Sequence, residues 1–220
     1  RTLTVSEVEK RLLEELVGDA VVNVLSNVHT AAPGSATPAG RSGVLFVGSF
    51  DHTPNRDAAI YLAREIMPLV RKHHPSAVAH IVGSNAPAEI LGLAGRGTLV
   101  HGWVADLEMY YRRARVVVAP LRYGAGIKGK IGESLGYGVP VVATPLAVEG
   151  MHLQSEVDVL IGSTGAELAA GIARLLSEDE TWSAISESGK RALARQFGPE
   201  VARQALAEVL GRGAADEQVE

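Results

Sequence analysis

Residues 116–144, VVVAPLRYGAGIKGKIGESLGYGVPVVAT, decide the fold of this chain. They place two apolar runs, at 116–119 and 140–143, on either side of a glycine-rich loop and a helix. Neither run alternates between apolar and polar residues, which is typical of strands that helices cover on both faces. The stretch therefore predicts one β-α-β unit of an α/β domain with a doubly wound, Rossmann-like parallel sheet.

Strands and short helices alternate on both sides of this unit. Ligands of such sheets bind at the carboxyl ends of the strands, so residues at those ends are candidates for a site. Gly48, Gly83, Gly102 and Arg122 each come at or just after the end of a predicted strand, and we expect them to line one crevice. The further predicted strands span 44–48, 78–83, 98–101 and 158–161, and the predicted helices span 55–73, 87–93, 107–115, 165–177, 180–195 and 199–210.

The N-terminal region has a different organisation. A helical pattern over 5–17 and a short strand over 21–25 are followed at 29–43 by a small, Pro-rich and Gly-rich stretch that is typical of a linker. The chain begins with Arg1 rather than Met, so we expect it to be part of a longer one. The expected division is a fragment of another domain at 1–28, a linker at 29–42, a main domain at 43–210 and a frayed tail at 211–220.

The composition of the 220-residue chain argues against several classes of protein. A net charge of -4 gives no overall attraction to nucleic acid, and no apolar run approaches the roughly 18 residues of a membrane-spanning helix. The absence of cysteine excludes disulfides and thiolate metal sites, and the 7 histidines lack ligand spacing, so we predict no bound metal. The first residues lack the pattern of a signal peptide, and we expect a cytoplasmic protein.

The glycine loop matches two phosphate-binding patterns incompletely. Residues 124–129 fit the dinucleotide pattern G-x-G-x-x-G, but that pattern belongs in the first β-α turn of its domain, and this loop follows the fourth strand. Residues 124–130 fit most of G-x-x-x-x-G-K, but Ile131 stands where Ser or Thr would ligate magnesium. An NAD-dependent oxidoreductase and an ATPase or kinase are therefore disfavoured. A purely structural interpretation is that the glycines let the helix pack closely on the sheet.

Two lysines and a carboxylate beside the glycines favour another ligand. Backbone N–H groups, lysines and a helix N-terminus all suit phosphate, and close packing does not explain Lys128 and Lys130. Glu133 lies one turn further into the helix, where a carboxylate can accept hydrogen bonds from sugar hydroxyls. The segment is therefore predicted to be a nucleotide or nucleotide-sugar site.

Residues 124–144 resemble the donor-site segment of the group 1, or family 4, glycosyltransferases with the GT-B fold. Glu133 matches the second glutamate of that family's Glu-x7-Glu motif. The resemblance covers about 44–210, and residues 4–28 resemble the end of the family's acceptor-side domain. The chain is thus similar to the C-terminal half of a GT-B fold. The other matching segments are GSFDHTPN at 48–55, IVG at 81–83, VHGWV at 100–104 and VVVAP at 116–120.

This resemblance implies a function and assigns roles to residues. It implies a retaining transfer from a nucleotide diphosphate sugar, with no obligatory metal or other cofactor, to a saccharide or a lipid-linked saccharide. The acceptor and the catalytic contacts would come from the missing N-terminal domain, and the full-length protein would associate peripherally with the inner membrane face. The implied contacts are Gly48, Arg122, Gly126, Lys128 and Lys130 for the donor phosphates, Glu133 for the ribose, and Gly83, Gly102, Trp103 and Val104 for the nucleobase.

Two departures from the family's pattern leave alternatives open. Ala125 stands eight residues before Glu133, where the first motif glutamate is expected, and the first loop offers His52 and Arg56 instead of an arginine and a lysine. The two lysines of the glycine loop could compensate at the phosphates. A non-catalytic nucleotide-binding module of the same fold is the alternative, and Trp103 could equally be a core residue. Alone, the chain is expected to bind donor weakly and to transfer little.

Overall fold

The computed structural model describes residues 2–18, 21–34, 36–95 and 97–211, and its first strands form a small separate sheet. β1 (Thr2–Thr4) pairs in parallel with β2 (Val22–Val24), and α1 (Glu7–Val17) connects them. Ser6 caps α1, since its side chain accepts a hydrogen bond from the backbone N–H of Glu9. The predicted division of the chain into a domain fragment and a linker stays a prediction.

The main sheet has six parallel strands in the order β5-β4-β3-β6-β7-β8, with the bounds given below. The chain builds outward from the central strand to one edge, returns to the centre and continues to the other edge. This order confirms the predicted doubly wound, Rossmann-like α/β fold. The elements are β3 (Ser42–Val47), α2 (Thr53–Tyr61), α3 (Met67–His73), β4 (Ala79–Val82), α4 (Ala88–Leu91), β5 (Thr98–Gly102), α5 (Glu108–Arg113), β6 (Ala114–Ala119), α6 (Gly129–Gly136), β7 (Val141–Ala143), β8 (Leu160–Ile161), α7 (Gly165–Ser177), α8 (Asp179–Phe197) and α9 (Pro199–Leu210).

β6 lies in the centre of the core, and all of its residues are buried. Its apolar run is the one that predicted a strand covered on both faces. The predicted helix over 107–115 is wrong at its C-terminal end, because Arg115 belongs to β6. The buried guanidinium of Arg115 donates to the carbonyl oxygens of Leu175 at 2.8 Å and Pro38 at 3.1 Å. These acceptors are distant in sequence, so only the tertiary structure provides hydrogen-bond acceptors for an arginine in this strand.

The helix predicted over 55–73 contains a wide turn. A π-helical turn at Leu62–Ile66 separates α2 from α3, and the N–H of Met67 donates to the oxygen of Leu62. Pro68 follows directly; its ring would collide with the carbonyl group four residues earlier in a regular helix. The wider turn accommodates the proline without ending the helix.

Of the last helices, α7 packs on the main sheet, α8 packs on α6 and α7, and α9 packs on α8 and ends near the limit of the described residues. α7 and α9 have the predicted bounds, and Trp182 and Leu193 of α8 are buried. Of the predicted tail at 211–220, only Gly211 lies within the described residues. Among those described, no helix is long and apolar enough to cross a membrane.

Candidate functional site

The carboxyl ends of β3, β4, β5 and β6 lie on the same side of the sheet, at the point where the chain reverses its direction across it, which is where open parallel sheets form a ligand crevice. Gly48 N–H donates to Val82 O at 3.0 Å, and Gly83 N–H donates to Gly102 O at 2.8 Å, so backbone bonds join the strand ends. A Cβ atom at Gly83 would lie 1.8 Å from Gly48 O. Only glycine fits there, and the predicted positions after β3, β4 and β5 are neighbours as expected.

The glycine loop between β6 and α6 is shaped by two residues in the left-handed region. Gly124 has φ of 117° and Gly126 has φ of 80°, conformations that favour glycine. Lys128 stands at the N-cap of α6, and its Nζ donates to the carbonyl oxygens of Ala125 at 3.0 Å and Gly126 at 2.5 Å. This lysine thus folds back onto its own loop.

Lys130 lies in the first turn of α6 and reaches across to the first turn of α2. Its Nζ donates to Asn55 Oδ1 at 2.6 Å and lies 4.7 Å from the centre of the Phe46 ring. Asn55 in turn donates to Ser49 O at 2.8 Å. Burial, together with the charge of Lys128, lowers the pKa of Lys130 to about 7, and Glu133 opposes this shift. The lysine therefore titrates near neutral pH.

Arg122 is held by an ion pair that the sequence did not predict. Its Nε and Nη2 donate to the two carboxylate oxygens of Asp57 at 2.9 Å and 2.5 Å, and its guanidinium lies 4.6 Å from the centre of the Tyr61 ring. The bonds to Asp57 raise the pKa of Arg122. This side chain can turn to a ligand only by leaving a bidentate partner.

Glu133 is exposed on α6, and one of its oxygens has a buried partner. The hydroxyl of Tyr111 donates to Glu133 Oε2 at 2.9 Å. Burial and the charge of Glu133 raise the pKa of Tyr111, so its hydroxyl stays protonated. His29 packs against Gly132 beside this carboxylate, and its Nε2 has no hydrogen-bond partner among the described residues.

Of the residues predicted for the nucleobase, Gly83 follows β4, and Gly102, Trp103 and Val104 lie at the end of β5. Trp103 is 73% exposed, so its alternative place in the core is wrong. Gly102 has φ of 68°, which turns the chain at this point, and Val104 is half-buried against the core. A large aromatic surface therefore stands open to solvent beside the crevice.

The N-terminal helix brings a carboxylate to the glycine loop. A Cβ atom at Gly126 would lie 3.8 Å from Glu9 Oε1. Burial lowers the pKa of Lys128, while the charges of Glu149 and Glu9 oppose this shift. The acid expected at position 125 is absent, but acidic groups from two other segments face the loop.

Sequence reasoning missed Asn55, Asp57 and Tyr111 as parts of this site. Asn55 and Asp57 lie in the first turns of a helix that was predicted, but neither has a local pattern that names its partner. Tyr111 lies in the helix predicted over 107–115, and its local sequence does not indicate its contact with Glu133. Within the described residues, no group of three or more His, Asp or Glu could hold a metal ion.

Comparison with known proteins identifies the family. A sequence profile described as "Glycosyl transferases group 1" matches residues 41–178, more than half of the chain. The chain belongs to the group 1 glycosyltransferases. No curated protein sequence matches it.

Solved structures of glycosyltransferases share the fold of this group 1 chain. TarM of S. aureus, solved with UDP and α-GlcNAc-glycerol, superposes with a TM-score of 0.77 at 16% identity over 94% of this chain and 43% of TarM. HepE of Anabaena, solved with UDP and glucose, gives 0.73 at 15% identity over 95% of this chain and 62% of HepE. Sucrose-phosphate synthase of Thermosynechococcus elongatus gives 0.74 at 20% identity over 96% and 57%. The chain spans about half the length of these proteins and matches one half of a GT-B glycosyltransferase.

Proposed function

We propose that this chain is the donor-binding domain of a retaining glycosyltransferase and binds a nucleotide diphosphate sugar. The observation that carries the proposal is the arrangement on α6, where a cationic helix N-terminus with Lys128 and Lys130 precedes the exposed carboxylate of Glu133. Phosphates suit the first group and ribose hydroxyls suit the second. Both face the crevice in which open parallel sheets bind their ligands.

The phosphate end would supply the electrostatic part of the reaction. When the bond between the sugar and the diphosphate breaks, negative charge grows on the leaving oxygen. Lys128, Lys130, Arg122 and the N–H groups around Gly126 would stabilise that charge without a metal ion. Gly48, which has no side chain, lets the phosphates approach the loop after β3.

The nucleoside end would set the orientation of the donor. Glu133 would accept hydrogen bonds from the ribose, and the base would lie along Gly83, Gly102, Trp103 and Val104. Trp103 supports this placement, because an exposed indole offers a flat apolar surface for a base. UDP is the first nucleotide to test, since the structures of TarM and HepE contain it.

The acceptor and the remaining catalytic groups would come from a further domain. We infer that residues 1–28 end an acceptor-side domain, that 29–42 link it to the main domain, and that the acceptor is a saccharide or a lipid-linked saccharide. The exposed apolar residues of the N-terminal segment support this inference, because another domain would bury them. They include Leu12, Leu16 and Val21.

A non-catalytic nucleotide-binding module is the second candidate. The exposed Ala125 favours it, because this residue stands where the family's first motif glutamate would contact the sugar. Such a module would bind nucleotide with the same phosphate and ribose contacts but would not gain affinity from the sugar. Binding of the nucleotide diphosphate and of its sugar conjugate therefore separates the two candidates.

Titration of the chain with UDP, GDP, ADP and NAD, followed by calorimetry, tests the proposal. We expect millimolar or tighter binding of one nucleoside diphosphate and measurably weaker binding of it in Glu133→Ala and Lys130→Ala. Lys72→Ala is the matched control, because Lys72 is an exposed lysine at the end of α3. This helix leads into the start of β4, on the side of the sheet opposite the carboxyl ends of the strands. No binding of any diphosphate at millimolar concentration, or a preference for NAD, would contradict the proposal.

A further inference from the structure

A buried tyrosine lies directly behind the carboxylate of Glu133. Tyr111 is only 1% exposed, whereas Glu133 is open to solvent. The two side chains meet at 2.9 Å, with the Tyr111 hydroxyl donating to Glu133 Oε2. One carboxylate oxygen is thus tied to the core, whereas the other accepts no hydrogen bond among the described residues.

The phenol ring of Tyr111 is held in a single orientation. It stacks on the ring of Tyr137 with the centroids 5.3 Å apart and the planes 12° from parallel. The backbone oxygen of Tyr111 accepts a hydrogen bond of 2.8 Å from Arg41 Nη1. Tyr137 caps the helix that carries Glu133, because its N–H donates to Glu133 O at 3.0 Å. Tyrosine and glutamate are therefore fixed relative to each other.

We propose that Tyr111 is a positioning residue for the ribose contact, holding Glu133 Oε2 so that Oε1 points to the sugar hydroxyls. The inference rests on the proposed function. A free glutamate side chain loses rotamer freedom when it binds, and a carboxylate that is already anchored loses less. The raised pKa of Tyr111 keeps the hydroxyl a donor throughout the neutral range.

A purely structural role for Tyr111 makes a different prediction. If the hydroxyl only satisfied its own burial, its removal would lower stability and weaken every ligand equally. If it orients Glu133, its removal weakens ligands that have the ribose hydroxyls more than ligands that lack them. Discrimination between a ribonucleotide and its 2′-deoxy form is therefore the informative measurement.

The test compares Tyr111→Phe with Tyr110→Phe. Tyr110 is the adjacent tyrosine of α5, and its ring packs on His101 with the centroids 4.9 Å apart, away from Glu133. The ligands are whichever of UDP, GDP and ADP binds the parent most tightly, and the 2′-deoxy form of that nucleotide. We expect the parent to prefer the ribonucleotide, Tyr111→Phe to lose about threefold to tenfold of that preference, and Tyr110→Phe to retain it.

A double-mutant cycle makes the coupling explicit. In a Glu133→Ala background, Tyr111→Phe is expected to leave the remaining preference unchanged, because the carboxylate it orients is gone. A folded Tyr111→Phe protein with the parent's full preference would overturn the inference, and so would a parent that binds both forms equally. If no diphosphate binds the parent, the proposed function itself fails.

A second pair of variants serves if Tyr111→Phe does not fold. Tyr137→Leu removes the ring that stacks on Tyr111 but leaves the hydroxyl, and Tyr137→Phe keeps the stack. We expect Tyr137→Leu to reduce the ribonucleotide preference and Tyr137→Phe to retain it. Equal preferences in the two variants would overturn the inference.

Discussion

Lys130 is the residue whose surroundings most affect the chemistry of the site. Its Nζ is enclosed by Asn55, the Phe46 ring and α6, and a second lysine lies in the same loop. An ammonium group in such a place loses hydration, its hydrogen-bond partner Asn55 is neutral, and the charge of Glu133 only partly offsets the loss. A bound diphosphate would provide the missing counter-charge, so ligand binding and protonation of Lys130 should be coupled.

The affinity for a nucleoside diphosphate is predicted to fall as the pH rises above 7. The pKa of Lys130 is about 7 without ligand, and a bound anion raises it, so binding takes up a proton between the two values. The terminal phosphate, with a pKa of about 6, keeps its charge in this range. Calorimetry from pH 7 to 9 should show a decrease that approaches tenfold per pH unit at most.

Lys130→Arg is the control for this pH dependence. Arginine stays charged over the whole range, so the variant should bind with nearly constant affinity from pH 7 to 9. A parent that shows the same flat profile would contradict a titrating Lys130.

Gly83→Ala is predicted to destabilise the sheet. The new methyl group would lie 1.8 Å from Gly48 O, so the ends of β3 and β4 would have to separate. We expect a loss of about 3 kcal/mol in the free energy of unfolding, measured with urea. Gly129→Ala is the matched control: a Cβ there meets nothing within 4 Å, and the helix should gain up to about 1 kcal/mol. Equal stabilities of the two variants would refute this account.

At the scale of elements, helices with local end signals follow the sequence most closely. Thr164 caps α7 and Pro199 begins α9, and both helices start in the structure where the sequence predicted. The strand predicted over 158–161 is shorter, at Leu160–Ile161. Asp158 is used in a turn instead, since its N–H and its carboxylate both bond to Gln154.

Thr164→Ala is predicted to weaken α7 by removing its cap. The Thr164 hydroxyl accepts a hydrogen bond from Glu167 N–H at 3.2 Å, and Glu167 Oε2 accepts one from Ser163 N–H at 2.7 Å. Loss of the hydroxyl should lower the free energy of unfolding by about 1 kcal/mol. Thr164→Ser keeps the acceptor and should stay close to the parent in the same urea titration. A stable Thr164→Ala protein would mean that the cap contributes little here.

At the scale of the whole molecule, the two sheets differ in how much apolar surface they bury. The residues of β6 are all buried, whereas α1 has no fully buried residue. Leu16 is 74% exposed and Val21 is 61% exposed. A segment with so few buried contacts opens at a low cost in free energy.

The rate of hydrogen exchange is therefore predicted to differ between the N-terminal segment and the main sheet. Backbone amides of β1, α1 and β2 should exchange well before those of β3, β4 and β6, as followed by mass spectrometry of peptides. If a further domain normally covers the N-terminal segment, protection there should rise in a protein that contains that domain. Equal protection of both sheets in the present chain would contradict the difference in burial.

The sequence by itself determined the architecture and indicated the region of the candidate site. Continuous apolar strands require a sheet covered on both faces, and residues at strand ends then converge at one edge, as Gly48, Gly83 and Gly102 do. These inferences depend on residues that are close together in the sequence, because backbone geometry limits which secondary structure a short segment can form. Such local patterns did not predict the π-helical turn before Pro68 or the place of Arg115 in a strand.

Only the tertiary structure decided which side chains meet in the site. Arg122 pairs with Asp57 across 65 residues, Lys130 with Asn55 across 75, and Tyr111 with Glu133 across 22. Each pair joins different elements, so its contact depends on strand order and helix packing rather than on spacing along the chain. Burial then changes the chemistry of the same residues. A lysine that the sequence presents as an ordinary cation becomes one that titrates near pH 7, because burial and the charge of Lys128 together outweigh the opposing charge of Glu133.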